Sequence, residues 1–109
     1  MATIFKNKVI KDIGVLPIVA IETDSATRST IIGFNLANLT ENVIYANILI
    51  NDDTSVQGHF MKDVMVPANS SLRALSAGEK LILVPSNTFL VQADQDDSLD
   101  AVISYVDIV

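Results

Sequence analysis

Side chains suited to catalysis or metal binding are few and scattered in this sequence. His59 is the only histidine and there is no cysteine, so a histidine-based metal site would have to be completed by carboxylates alone. A Ser-His-Asp triad would need the same histidine, and no serine lies in a nucleophile elbow. Since His59 follows Gly58 at the start of a predicted strand, we interpret it as a half-exposed structural side chain. The sequence predicts no catalytic residue, metal ligand or cofactor.

An acidic turn over residues 94–100 contains the densest group of oxygen ligands, with four aspartates among its seven residues. The turn lacks the glycine and the distal glutamate of an EF-hand calcium loop. Asp52 and Asp53 form a smaller acidic pair. We interpret both as solvated turns that discourage pairing between sheet edges. The four glycines are isolated, and none is followed by the Lys-Ser/Thr of a phosphate-binding loop.

Length and composition limit the class of protein. The 109 residues predict a single domain, 1–109, long enough to bury a core without disulfides. Half the residues are apolar but only 6% are aromatic, so the core must consist mainly of aliphatic side chains, which favours strands. The net charge of −6 argues against a nucleic-acid partner. Because the opening residues are too charged for a signal peptide and no apolar run is long enough for a membrane helix, we expect a bacterial cytoplasm and no membrane.

Short apolar runs separated by turn residues predict an all-β fold, an antiparallel β-sandwich or jelly roll of eight to nine short strands. The pattern is clearest over residues 64–94, where turns at 67–69, 77–79 and 85–87 separate short strands. The predicted strands are 3–11, 15–21, 28–37, 43–50, 57–66, 72–75, 80–84, 88–93 and 100–108.

Alternation within the strands predicts which side chains face the core. In the strand at 28–37 we expect Ile32, Phe34 and Leu36 to share one face, and Gly33 to mark a bulge or the close approach of another backbone. Apolar residues over 36–50 also fit a helical spacing, so a helix there is an alternative to the strand at 43–50. The β-branched residues and the following turn favour the strand.

Two N-terminal segments carry features of sheet edges. Neither side of the strand at 3–11 is cleanly apolar, which predicts that residues 1–11 form an edge strand or an N-terminal arm. Pro17 cannot donate to a sheet, which indicates an edge or the start of a strand. Residues 1–11 carry three lysines and no acid, whereas residues 94–109 carry five aspartates and no base. These are either solvated faces or a basic arm that meets the acidic end of a neighbouring copy.

With so little chemistry available, we expect the function to be assembly through protein surface. Tyr45 and Tyr105 could stack on a sugar or on a partner protein. The candidate interface residues are Ile4, Phe5, Lys6, Lys8, Lys11, Tyr45 and Tyr105.

Several stretches carry a family resemblance. They are Lys-Asp-Val-Met-Val-Pro-Ala-Asn-Ser-Ser-Leu at 62–72, Ala-Gly-Glu-Lys-Leu-Ile-Leu at 77–83, Leu-Asp-Ala-Val-Ile-Ser-Tyr-Val-Asp-Ile at 99–108, and the segments 8–14 and 31–38. Together they resemble small virion proteins of tailed bacteriophages, particularly those that infect cyanobacteria and other marine bacteria. Where such proteins often have glycine in two turns, this chain has Asn69 and Asn87, and asparagine tolerates left-handed geometry.

The resemblance implies a non-enzymatic structural component of the virion. We expect first a capsid decoration (cement) protein that binds the major capsid protein and stabilises the shell, as a homo-oligomer with a trimer favoured. A neck or tail adaptor that contacts other virion proteins is the first alternative. A carbohydrate-binding accessory module, with stacking on Tyr45 or Tyr105, is the second.

Overall fold

The computed structural model describes residues 2–75 and 80–109. In these ranges the chain forms nine β-strands and no helix, and hence nothing helical that could cross a membrane. The predicted turn at 77–79 falls outside the described residues. The strands are β1 (Thr3–Ile13), β2 (Ile18–Glu22), β3 (Arg28–Asn38), β4 (Ile44–Asn51), β5 (Gln57–Val66), β6 (Ser71–Arg73), β7 (Leu81–Leu83), β8 (Thr88–Ala93) and β9 (Leu99–Ile108).

The strands form two antiparallel sheets packed as a sandwich. The first sheet has the order β1-β9-β3-β6, with β7 also paired to β3, and the second has the order β2-β8-β4-β5. Since β6 and β7 pair with opposite ends of β3, they act as one interrupted strand. The resulting eight-strand order, with the chain alternating between sheets, is that of a jelly roll. The predicted all-β sandwich or jelly roll is confirmed.

The core lies between the sheets and is mainly aliphatic, as the composition predicts. Phe34 of the first sheet meets Phe89 of the second edge to face, with ring centroids 5.4 Å apart. Phe60 of β5 also packs on Phe89, with ring centroids 6.4 Å apart. Aromatic pairs in this geometry contribute about 0.5–1.5 kcal/mol beyond their burial. These rings therefore join the two sheets at the centre of the sandwich.

Strand β3 departs from regular alternation at Gly33. Its pairing with β9 shifts between Ile31 and Gly33, so Ile31 and Phe34 are both fully buried whereas Ile32 is 44% exposed. The predicted bulge at Gly33 is confirmed. The prediction that Ile32 faces the core with Phe34 and Leu36 was wrong, because the extra residue of a bulge reverses the alternation on one side of it.

The strand interpretation of residues 43–50 is confirmed, and the helical alternative over 36–50 is wrong. Strand β4 pairs with β5 on one side and with β8 on the other. Ile44, Ala46 and Ile48 are buried between the sheets, while Tyr45 is exposed on the outer surface. Sheet pairing on both sides gives hydrogen-bond partners to the backbone groups of β4, some of which would lack partners at the ends of a short isolated helix.

The N-terminal segment is an edge strand. Strand β1 pairs with β9 from Thr3 to Ile13, and among the described residues its other edge borders no strand of the same sheet. Strand β2 is likewise at an edge and begins directly after Pro17. Lysines along an edge strand such as β1 discourage uncontrolled pairing with another strand.

Candidate interaction surfaces

The outer face of the first sheet exposes several large apolar side chains. Because Leu99, Ala101 and Ile103 of β9 are buried in the core, the alternate residues of β9 and their partners on β1 point outward. Three cross-strand pairs lie side by side there: Phe5–Val106, Asn7–Ser104 and Val9–Val102. We call the surface formed by these pairs and by their neighbours Ile32 and Ile82 the outer face.

The outer face is strongly exposed. Phe5 is 77% exposed, Val9 61% and Ile82 62%. Val106 pairs with Thr30, which pairs in turn with Ile82, so a row of three apolar side chains and one threonine crosses the whole sheet. No charged side chain lies on the three central pairs, and the charged residues Lys11, Arg28, Arg73 and Asp100 are found toward the ends and the far edge of the sheet. The face therefore combines apolar pairs with one small polar pair at its centre and keeps its charges at the periphery, and depletion of charge at the core is typical of protein interfaces.

A polar pocket opens on the side of the sandwich between β1 and β2. Its volume is about 310 Å³. Both basic and acidic side chains line it, together with a tyrosine, and the strands that supply them belong to both sheets. The charged and aromatic lining residues are Lys6, Lys8, Glu22, Asp24, Tyr105 and Asp107.

Asp107 is the most buried ionisable group of the pocket, with only 8% of its surface exposed. One carboxylate oxygen lies 3.0 Å from the Lys6 ammonium, and the other accepts a hydrogen bond from the Ser29 hydroxyl. Hydrogen bonding to Asp107 and attraction by its charge raise the pKa of Lys6 above its usual value. Because both oxygens of Asp107 already have internal partners, this cluster suits a structural role better than proton transfer.

His59 and the acidic turn do not meet. His59 is exposed on β5 opposite Leu49. In the part of the chain that the structure describes, no three histidine or carboxylate side chains are grouped to hold a metal ion.

The aspartates of the acidic turn have structural partners, which the sequence did not reveal. Three of them accept hydrogen bonds from backbone amides: Asp94 from Tyr45 at 3.1 Å, Asp96 from Val15 at 3.0 Å and Asp100 from Asp12 at 3.0 Å. Gly14 packs so closely on this turn that a Cβ atom there would lie 2.5 Å from a carboxylate oxygen of Asp96. The turn therefore joins the β1–β2 connection to the start of β9.

The structure separates the seven predicted interface residues into three places. Phe5 lies on the outer face, and Lys11 lies near its end. Ile4, Lys6, Lys8 and Tyr105 line the pocket. Tyr45 lies on the opposite side of the molecule, on the outer surface of the second sheet beside Met65.

Sequence reasoning missed most of the outer face. Val102 and Val106 belong to β9, whose two sides are both largely apolar, and that feature was the signal available; Val9 lies on β1, whose mixed sides gave no such signal. A strand at the centre of a sheet with one face in the core needs only one apolar side. Packing in the core therefore does not explain why the second side of β9 is also apolar.

No protein-family model matches this chain, and no curated protein matches it. Among solved structures it is similar to one described as "Bacillus endospore appendages form a novel family of disulfide-linked pili". The TM-score is 0.58 at 6% sequence identity, over 98% of this chain and 88% of that chain. At this identity the likeness is one of fold.

Proposed function

We propose that the chain is a non-enzymatic structural protein of a virion, most specifically a decoration (cement) protein that binds the capsid surface and stabilises the shell. The observation that carries this proposal is the outer face, where Phe5, Val9 and Ile82 are each more than half exposed. Monomeric soluble proteins rarely expose a contiguous apolar patch of more than a few hundred Å². A role in which another protein molecule covers this face therefore fits the surface better than a role as an isolated monomer.

The fold and the resemblance support the same proposal. Jelly rolls are used in viral capsid and lectin domains. The stretch at 62–72 that resembles phage virion proteins covers the end of β5, the following turn and the start of β6, and the stretch at 99–108 is β9. The similar solved structure is described as disulfide-linked, whereas this chain has no cysteine, so its own assemblies would be held by non-covalent contacts.

A decoration protein acts by mass action. It binds only where assembled capsomers display its site, so its binding free energy favours the assembled lattice over separate subunits. We propose that the basic strand β1, with Lys6, Lys8 and Lys11, takes part in the contact with the capsid or with a neighbouring copy, since opposite charges steer and orient such contacts.

A neck or tail adaptor is the second candidate, because it would use the same fold and the same apolar face. The sugar-binding alternative gains no comparable support. Tyr45 lies on the outer surface of the second sheet and Tyr105 lies in the pocket, so the two rings share no stacking platform.

Immunoelectron microscopy of virions from the natural source tests the proposal, with antibodies raised against the purified chain and pre-immune serum as the control. We expect label distributed over the capsid. Label confined to one vertex or to the tail would favour the adaptor, and virions that carry no label would contradict a virion function.

A further inference from the structure

The outer face is nearly symmetric about its own centre. The Phe5–Val106 pair lies on one side of the Asn7–Ser104 pair, and the Val9–Val102 pair lies at the same distance on the other side. Each flanking pair consists of two apolar side chains, and the central pair consists of two small polar ones. Turning the face end over end therefore places apolar groups on apolar groups along β1 and β9, and places Thr30 on Asn35 and Ile82 on Arg73 along β3 and the β6–β7 edge.

We propose that the outer face binds the same face of a second copy of this chain, around a twofold axis that crosses the strands at the Asn7–Ser104 pair. In this arrangement Phe5 of one copy packs on Val9 of the other, and Val106 packs on Val102. Isologous contacts of this kind are the commonest in homo-oligomers. The inference rests on the proposed function in one respect, that the chain works within an assembly.

A twofold axis parallel to the strands matches the residues less well. Such an axis would stack β1 of one copy on the β6–β7 edge of the other copy. It would likewise stack β9 of one copy on β3 of the other. Val102 would then face Asn35, and Val9 would face Arg73, because these residues lie in the same rows of the sheet. Polar and charged groups would cover apolar ones at both positions, and their desolvation opposes binding. The parallel axis keeps one apolar contact, Phe5 on Ile82, whereas the proposed axis keeps two and covers an apolar side chain with a charged one only at Ile82 and Arg73.

The charges at the ends of the face favour the same pairing. Arg28 is aligned with Ile108 at one end of β9, and Asp100 is aligned with Ala37 toward the other end. The proposed rotation lays the Asp100 end of each copy over the Arg28 end of its partner. Asp100 of each copy is therefore brought toward Arg28 of the other at both ends, which favours this register. Lys11 on β1 also lies at the Asp100 end, two strands away from the position of that arginine.

The size of the face suits a dimer. Three strands of about nine residues and the six residues of β6 and β7, at about 3.3 Å per residue and about 4.8 Å between strands, span a projected area of about 500 Å². Side-chain relief and the rim bring the accessible surface closer to the roughly 800 Å² that each partner buries in a standard interface. Two aligned sheets pack about 10 Å apart, which is the geometry of the sandwich itself.

A charge exchange between Phe5 and Val9 tests the pairing by sedimentation velocity over a range of concentrations. We expect wild-type chain to form a dimer of twice 11.8 kDa. Phe5→Glu alone and Val9→Lys alone should each raise the dimer dissociation constant by about 100-fold or more, since the twofold axis repeats every lost contact. The double variant should recover most of the loss, because Glu at 5 of one copy meets Lys at 9 of the other.

Within one chain the two substituted positions are about 13 Å apart along β1, so the recovery cannot come from an internal ion pair. Val56→Glu is the matched control, since Val56 is 63% exposed but lies in the β4–β5 turn, away from the outer face, and its mass distribution should equal that of wild type. Circular dichroism verifies that every variant is folded.

Several outcomes would overturn the pairing: a wild-type monomer or trimer, single variants that dimerise like wild type, or a double variant that stays dissociated. None of these would bear on immunolabelling of virions, so failure of the dimer and failure of the virion proposal can be distinguished.

Discussion

At the scale of single residues, the most consequential polar group is the buried carboxylate of Asp107. It accepts a hydrogen bond from Ser29, which is 2% exposed, and it pairs with Lys6 at the mouth of the pocket. Ser29 is on β3, Lys6 on β1 and Asp107 on β9, so this one group links three neighbouring strands. Its contribution is to hold edge strand β1 in place beside β9.

Asp107→Ala should lower the free energy of unfolding by about 1–3 kcal/mol, because it leaves the buried Ser29 hydroxyl and the Lys6 ammonium without their partner. Ser29→Ala should cost less, about 0.5–1.5 kcal/mol, since Asp107 retains the ion pair. Urea unfolding monitored by circular dichroism measures both, with Asp53→Ala in an exposed turn as the control. Equal stabilities for Asp107→Ala and the control would contradict a structural role for this carboxylate.

The carboxylate of Asp52 organises the β4–β5 turn. Hydrogen bonds from the Thr54 hydroxyl, the Val56 amide and the Thr54 amide lower its pKa below the usual value of 3.8. A group whose pKa is lower in the folded than in the unfolded chain stabilises the fold above the unfolded pKa, and this stabilisation is lost as the pH falls through the folded pKa.

We therefore expect the thermal midpoint of the wild-type chain to fall more steeply below about pH 4 than that of Asp52→Asn, whose amide does not titrate. Scans at several acidic pH values measure the difference, with Asp53→Asn as the matched control. Part of the acid loss should persist in Asp52→Asn, because the Ala26 amide and the Thr27 hydroxyl lower the pKa of Asp24 in the same way. Parallel curves for Asp52→Asn and wild type would exclude this linkage.

At the scale of single strands, the bulge in β3 decides which isoleucine supports the core. Ile31 is fully buried, whereas Ile32 is 44% exposed on the outer face. Gly33 is where the register with β9 changes. Bulges of this kind reorient side chains without ending the strand.

Ile31→Ala should destabilise the chain by about 2–5 kcal/mol, as expected for truncation of a buried side chain. Ile32→Ala should change the stability by less than about 1 kcal/mol, because its side chain already contacts solvent. Denaturant unfolding, at a protein concentration low enough to keep the chain monomeric, measures the stability of both variants. A larger cost for Ile32→Ala would show that the regular alternation read from the sequence was right.

Strand positions could be predicted well from the sequence, and strand faces less well. The turn-forming residues of the sequence predict two turns and two strands correctly: the turns at 67–69 and 85–87 and the strands at 57–66 and 88–93. Asn69, which stands where the resembling proteins have glycine, has a φ of 53°, as its tolerance of left-handed geometry predicts. In the turn before β8, where the resembling proteins have their second glycine, the positive φ is that of Ser86 and not that of Asn87.

The reason for the missed residues is physical. Alternation reports which side of a strand is apolar, but a bulge such as the one at Gly33 reverses the faces without a unique sequence sign. Strand order depends on contacts between distant segments, such as β1 with β9, which local patterns do not encode. The outer face became recognisable only when the pairing of Phe5 with Val106 and of Val9 with Val102 was known.

At the scale of the whole molecule, the jelly roll separates two kinds of surface. The side between β1 and β2 presents charged groups around the pocket, with Lys6 and Asp107 paired inside it. The outer face presents Phe5, Val9 and Ile82 with no charge among them. The first surface suits reversible, salt-sensitive contacts, and the second suits a persistent contact that excludes water. In the proposed role, the outer face would bind a second copy and the charged side would contact the capsid.

The central claim is that this chain functions by association through its outer face, and the native mass of the wild-type chain tests it most directly. Light scattering after size-exclusion chromatography, at moderate salt and over a broad range of concentrations, should give a mass of twice 11.8 kDa that falls only at high dilution. Since the contact is mainly apolar, added salt should not dissociate it. A single species of 11.8 kDa at every concentration would contradict the claim.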